Sequence, residues 1–551
     1  MTPTRSRLAA RARELSLTLT AWPSVTGTAD EAGFAHNLAG LLAALPYFRD
    51  NPDDLAVLPV PGGSHARSNV LALVRGTGSR TVVLAGHFDV VPVDDYGDLA
   101  PLAFSPEALR AGLIERLRLT GTFAQALDDL ESGRFLPGRG LLDMKSGLAV
   151  GMAVLEQFAA DPGRVGNLLL IATPDEEDRS DGMRAAATEL PDFLHQRGLE
   201  VALGINLDAL CDNGDGADGR VVALGCIGKL LLSALVVGKE SHACYPLDGV
   251  NAAYLAAELV AEMEYAPELG ERAGAELAAA PAALGMKDLK NLYNVTTPGR
   301  VWVFWNVLTQ RRTAGTVLAI ARQIALRAME RAQARVAERA RQLSPDGAPS
   351  EAWSRLEVTT FDAVLARALA RESGFRRRFD AYAAELATRD DLDLPTRSQL
   401  LTEFAWDATG TEGPAIVLGF ASMPYPAVNW GTGAMEDALK ETVMAAMQRT
   451  AAATGVGITA RNHLPVIVDM SFLGRTDQAD LEVIARATPI WGSSIVWNPA
   501  GAMPAFPMVN IGPWGRDYHH WLERVDQGYA FGVLPLLVWN VASDVLRQSG
   551  S

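Results

Sequence analysis

The chain has 551 residues, 48% of them hydrophobic and 21% charged, the balance of a folded globular protein and not of a fibrous or disordered one; that length corresponds to roughly two to four domains. Its 65 acidic against 49 basic residues give a formal charge of −16, which argues against nucleic acid and anionic membrane as partners. The three cysteines, Cys211, Cys226 and Cys244, have neither metal nor redox spacing, and so sparse a set fits a reducing cytoplasm.

In the opening segment Arg11, Arg13 and Glu14 interrupt any apolar run, so no leader peptide is expected there. Nothing further along reaches the roughly 20 apolar residues of a membrane helix. Leu8, Ala12, Leu15 and Leu19 recur at helical spacing and predict a surface helix, and a second helix is predicted over about 31–45. From Asn69 the pattern changes to short apolar runs. NVLALVRG and TVVLAGHFDVV predict two successive strands joined by a Gly-Ser turn. Residues 93–137 exceed an ordinary connection and contain a helical piece, Glu107 to Leu119, so they read as an insertion over the site.

His87 and Asp89 stand two residues apart where the second run ends. Side chains i and i+2 share a strand face, so the two project together. A carboxylate that holds one imidazole nitrogen fixes the other for a metal; a stray polar pair is the plain alternative. Asp143 lies in PGRGLLDMKSG, where Gly138 and Gly140 permit a sharp turn into an apolar helix over 148–159. An acid there reads equally as a helix cap. A strand over 167–173 then runs into four consecutive acids, Asp175 to Asp178, which repel one another unless a cation gathers them. A fourth strand, 201–207, delivers Asp208 to the same edge, where open α/β sheets keep their active crevice.

After Gly225 the alternation is strand, helix, strand. LLLSALVVG is a predicted strand, followed by a helix over 251–265, strands within 295–308, a long helix over 316–342 and a strand over 415–428. The polar stretch 343–400 receives no assignment. Beyond it a helix is predicted over 436–454, buried strands over 466–470 and 508–511, and a turn over 512–515.

Six pieces in order, AGHFDVVP, GRGLLDMKSG, PDEED, NLDAL, SHACYPLDGVNA and HHWLERV, resemble the M20 family of co-catalytic metallopeptidases and related amidohydrolases. Length and the WVFWNVLT stretch resemble the arginine-utilisation branch of that family. The resemblance implies an α/β fold: a mixed-sheet, phosphorylase/hydrolase-like catalytic domain of the zinc exopeptidase type, with an inserted α+β lid. Its boundaries would be 1–224 and 431–551 for the catalytic domain and 225–430 for the lid.

The resemblance also implies two divalent metal ions, zinc with cobalt or manganese as alternatives, bridged by Asp143. His87 and Asp208 would hold one, Glu177 and His519 the other. Asp89 would clamp His87, and Glu176 would be the general base. Register favours His519 over His520, because Glu523 lies four residues beyond it. In the lid, His242 would steady the oxyanion, with Pro246, Gly249 and Asn251 around it, and Asn294 would contact substrate. Asp175 and Asp178 read as solvated or capping. Family lids carry Asp-x-Arg where this chain has Asn306 and Leu308, so substrate recognition departs from the pattern; Arg300, Arg311 and Arg312 are substitutes or solvated side chains. The expected activity is hydrolysis of an amide bond in a small arginine-derived or N-acyl amino acid compound by a cytoplasmic homodimer. A dipeptidase or aminopeptidase is the alternative within the class. A catalytically silent relative that binds a metabolite or partner protein is the alternative outside it.

Overall fold

Strands covered by helices on both faces need continuous runs of apolar residues, and the runs that end at Arg75, His87, Thr173 and Asn206 are of that kind. They form the centre of the first of two compact units in the computed structural model, which describes residues 3–548 apart from 64, 274–275, 345, 476 and 498–504. One unit comprises Met1–Cys226, Val428–Arg475 and Ala500–Ser551; the other comprises Ile227–Ala427 and Thr476–Pro499.

The first unit is built on an eight-stranded mixed sheet. Its strands are β1 (Leu55–Val60), β2 (Arg67–Arg75), β3 (Thr77–His87), β4 (Val165–Thr173), β5 (Glu200–Asn206), β6 (Val221–Ala223), β7 (Thr459–Arg461) and β8 (Met508–Asn510), in the order β1-β2-β4-β3-β5-β8-β6-β7. β2 and β3 follow one another along the chain as expected, but β4 lies between them, antiparallel to β2 and parallel to β3. β3 is also parallel to β5. The carboxyl ends of β4, β3 and β5 therefore share one edge.

Helices α1 (Pro3–Thr20), α2 (Ala29–Ala43), α3 (Ser146–Ala159) and α5 (Leu534–Arg547) contribute to the core on this sheet, and α4 (Asp181–Arg197) follows β4. The stripe Leu8, Ala12, Leu15 and Leu19 is wholly buried, so the predicted surface helix presents its apolar face to the core. The stretch Gln527–Arg547 corrects another expectation: by length and composition it could cross a membrane, and 72% of its most apolar window is buried. It breaks at Val533, and Leu537, Val538, Val541 and Val545 pack into the core. Apolar content alone does not separate a core helix from a spanning one. Residues 466–470, predicted as a strand, instead run as a loop into a 3-10 turn, Asp469–Phe472. Pro465 removes a ladder donor, and the Asp469 side chain is buried there. The turn predicted over 512–515 gives way to a short strand, Trp514–Arg516.

In the second unit a five-stranded sheet runs in the order Ala282–Asp288, Arg300–Thr309, Gly228–Val237, Ala415–Phe420, Glu357–Thr360. Helices Ala252–Met263 and Ala314–Leu343 supply its core, and Asn251 caps the former by accepting from the Ala253 N–H. The unassigned stretch forms the edge strand Glu357–Thr360 and the helices Phe361–Arg371 and Phe375–Ala387. Each of these helices buries a narrow stripe, Phe361, Val364 and Ala368 in one and Phe375, Phe379 and Ala383 in the next, which charged neighbours dilute in the sequence.

α3 approaches the end of β5 closely. A Cβ on Gly147 would stand 2.0 Å from the Leu207 carbonyl oxygen. Gly147→Ala is therefore expected to lower stability by about 1–3 kcal/mol through overpacking, measured as a lower urea midpoint with an unchanged slope.

Candidate metal centre

Three parallel strands bring their last residues to a single edge. β3 ends at His87 and leads to Asp89, β4 ends before Glu176 and Glu177, and β5 ends before Asp208. Asp143 arrives from the turn ahead of α3, made possible by Gly140 at φ 73°. His519 sits at the tip of a hairpin between strands Trp514–Arg516 and Arg524–Asp526. Its own φ is 59°, in the left-handed region that non-glycine residues seldom enter outside strained or functional positions.

His87 Nε2 lies 3.3 Å from Asp143 Oδ1 and 3.8 Å from Asp208 Oδ1. His519 Nε2 lies 3.2 Å from Asp143 Oδ2 and 3.1 Å from Glu177 Oε2. One carboxylate thus faces both imidazoles, with a different oxygen for each. Ligand-capable atoms of His87, Asp143 and Asp208, of Asp143, Glu177 and His519, and of His87, Glu176 and Glu177 all fall within 4.8 Å of one another in each set. Imidazole nitrogens mixed with carboxylate oxygens at this spacing fit divalent cations, with Asp143 common to two of the sets.

The electrostatics fit the same occupant. Burial, together with repulsion from Asp143, pushes the Glu177 carboxyl up to about 7 despite His519. Burial likewise raises Glu176, which Asp208 and Glu177 reinforce against His87, and it raises Asp208. Asp143 goes the other way: burial opposes its charge, but hydrogen bonds with His519 and His87 hold it below the usual carboxylate range. Burial also opposes charge on His519, yet Asp143 and Glu177 outweigh it and push the ring up to about 10. Divalent charge in the cluster would relieve the crowding of acids.

The supporting groups reach further than spacing suggested. His87 Nδ1 stands 3.1 Å from the Asp89 carbonyl oxygen and 3.4 Å from its carboxylate. That carboxylate also accepts the backbone N–H groups of Glu176 and Glu177 at 3.0 and 3.1 Å, so a single acid fixes both the ring and the loop beside it. Glu523, which served only to set the histidine register, accepts the N–H groups of Leu142 and Asp143 at 3.2 and 3.3 Å and pairs with buried Arg139 at 2.9 Å. It thereby fixes the turn that carries Asp143.

Asp175 departs from the solvated alternative and agrees with the capping one: it is buried, pairs with Arg67, and accepts the N–H of Asp181, the first residue of α4, at 3.1 Å. Its cation lies more than a hundred positions back along the chain, so no local spacing announces it. Asp178 is exposed beside Arg179, as read.

His520 uses Nδ1 to accept the Leu522 N–H at 3.2 Å and packs near Phe123 and Trp521, whereas His519 Nε2 faces Asp143 and Glu177. The insertion over 93–137 forms helices Pro106–Thr120 and Ala124–Glu131, which pack with Trp521 and Leu522 next to that histidine. His242 and Asn294 belong to the second unit, where both are exposed. His242 bridges to Thr296, and Asn294 accepts from the Thr296 hydroxyl at 2.6 Å, so they occupy adjoining segments. Arg300 is tied to Glu403 and Asp407.

The family model for peptidase family M20/M25/M40 matches residues 83–484. Over 547 residues the chain is 30% identical to the uncharacterized protein YqjN of Bacillus subtilis, with 98% of this chain and 96% of that one covered. It is 27% identical over 561 residues to protein RocB of the same organism, with the same coverage. Among solved structures, an M20 family metallo-carboxypeptidase from Sulfolobus solfataricus matches with a TM-score of 0.52 at 12% identity, over 97% of this chain and 99% of that one, a likeness of fold.

A cation that binds the folded state alone stabilises it. Zinc at about a hundredfold excess over its Kd should add about 2.7 kcal/mol to the metal-free protein, seen as a rise in Tm that EDTA reverses. Asp143→Ala should abolish most of that rise.

Proposed function

Because this chain belongs to peptidase family M20/M25/M40 and is a hydrolytic enzyme of that type, we propose that it cleaves an amide bond, peptide or N-acyl, of a small amino-acid-derived substrate in arginine utilisation. The observation that carries this reading is Asp143, whose two oxygens face two different imidazoles at 3.3 and 3.2 Å. That arrangement supports two divalent cations sharing Asp143, one with His87 and Asp208 and the other with Glu177 and His519. Zinc suits the mixture of imidazole and carboxylate donors, with cobalt or manganese as alternatives. Bound there, such a pair would polarise the amide carbonyl and make water nucleophilic at neutral pH.

The remaining work falls to the side chains. Glu176 Oε2 lies 3.9 Å from His87 Nε2, outside the two sets that share Asp143. From there it takes a proton from the attacking water and hands it to the leaving nitrogen. Asp89 holds the His87 ring and the backbone of Glu176, keeping base and cluster in one register. His242 is read as the donor that steadies the oxyanion, and Asn294 as a substrate contact; their adjoining segments in the second unit support a shared role.

The full-length likeness to RocB supports the arginine-utilisation branch. A homodimer is supported by the edge strand Ala282–Asp288, which leaves Leu284 and Met286 exposed. The three free cysteines support a cytoplasmic setting.

A panel of N-acyl amino acids and dipeptides, assayed on zinc-loaded protein, tests the reading. Glu176→Gln is expected to lower kcat by about 10²–10⁴-fold while metal content stays unchanged. Stoichiometric metal with no turnover across the panel would overturn it in favour of a metabolite-binding relative.

A further inference from the structure

Asp469 has no part in the centre described above, yet it is buried beside it. It opens the 3-10 turn Asp469–Phe472 and is 1% exposed. No cationic side chain makes a salt bridge with it among the described residues, although an unpaired acid is costly to bury. Burial pushes its carboxyl up to about 7, with Asp89 and Asp208 adding to the rise and His87 opposing it.

Its contacts explain where such an acid would be useful. The Thr173 hydroxyl donates to Oδ2 at 3.3 Å. The Ser180 side chain faces the same carboxylate and favours its charged form. Oδ1 is buried and has no hydrogen-bond partner among the described residues. Thr173 is the last residue of β4, and Ser180 stands at the cap position ahead of α4. The two hydroxyls therefore bracket the loop that carries Glu176 and Glu177. Arg67 and Asp89 hold that loop from within, through Asp175 and Asp181 and through the N–H groups of Glu176 and Glu177. Arg67 joins Asp175 to Asp181, and the Asp175 carbonyl accepts the N–H groups of Arg179 and Ser180, so the inner part of the loop is already closed. Asp469 holds its outer end at Thr173 from a segment 296 residues away.

We propose that Asp469 is a positioning residue for hydrolysis: by holding the Thr173 hydroxyl and facing Ser180 across the loop 174–179, it sets where Glu176 and Glu177 present their oxygens. The inference rests on the roles proposed above for those two glutamates. It differs from the clamp on His87, because removing it would leave the ring in place and displace the loop. In its ionised form the side chain accepts from a hydroxyl without donating to it.

The test uses the full chain as Asp469→Ala, Asp469→Asn and the double variant Thr173→Val/Ser180→Ala, with Glu176→Gln in parallel. Each protein is stripped of metal and titrated calorimetrically with zinc, and then its kcat and KM are measured on an amide turned over by the wild type. Asp469→Ala and the double variant are expected to weaken the zinc step that depends on Glu177, and to lower kcat, by about 10–100-fold each, with KM little changed. Asp469→Asn keeps one acceptor oxygen and should recover most of both losses. Wild-type zinc binding and kcat in Asp469→Ala or in the double variant would overturn the proposal. So would an Asp469→Asn as impaired as Asp469→Ala with its Tm lowered in step, since that marks a merely structural acid. If Asp469→Ala does not fold, the double variant decides the matter. Wild-type turnover in Glu176→Gln would remove the general-base assignment alone, and the zinc titrations would still judge the hold on Glu177.

Discussion

Crowded negative charge at one edge of a sheet is the constraint that the rest of the first unit answers. Carboxylates taken out of water and brought within a few ångströms of each other repel strongly in a medium of low dielectric. Several of the acids at this edge have a partner of their own. Asp143 lies between two imidazoles, Glu523 against Arg139, Asp175 against Arg67, and Asp89 beneath two backbone N–H groups. Burial raises Glu176, Glu177 and Asp208 despite their histidine neighbours. With Asp143, these are the acids grouped with His87 and His519 in the candidate sets.

The sheet topology makes that crowding affordable in structural terms. β4, β3 and β5 run parallel, so three strand ends meet without any loop having to bend back, and the buried apolar strands behind them keep the ends from spreading. The fourth contribution comes from the turn ahead of α3, held by Glu523. The fifth comes from a hairpin whose neighbours, Trp521 and Leu522, are packed by the inserted helices. Rigid strand ends carry the acids, and distant side chains fix the loops between them.

Much of this was legible before any coordinates, for identifiable reasons. Strand ends, the loop turn at Asp143 and the acid run after Thr173 are local patterns, and the spacing of His87 and Asp89 follows from strand geometry. The family resemblance then placed His519 in register. The supports were not legible in the same way. Arg67 with Asp175, Glu523 with the Asp143 turn, and Asp469 with Thr173 are each separated by more than a hundred positions. Nothing in the periodicity near any of these residues marks its partner. Residues 466–470 misled for a different reason: Val466, Ile467 and Val468 have strand composition, but Pro465 and the inward turn at Asp469 prevent pairing. The charged surfaces of the helices over 361–387 hid their short apolar stripes.

The order in which the pieces occur along the chain has a consequence for biosynthesis. Four of the five proposed ligands precede residue 209, whereas His519 comes from a hairpin formed only after the entire second unit has been translated. Glu523, which holds the Asp143 turn, and β8, which pairs with β5, also follow the second unit in the chain, so the residues ahead of 209 lack these supports until that segment has been made.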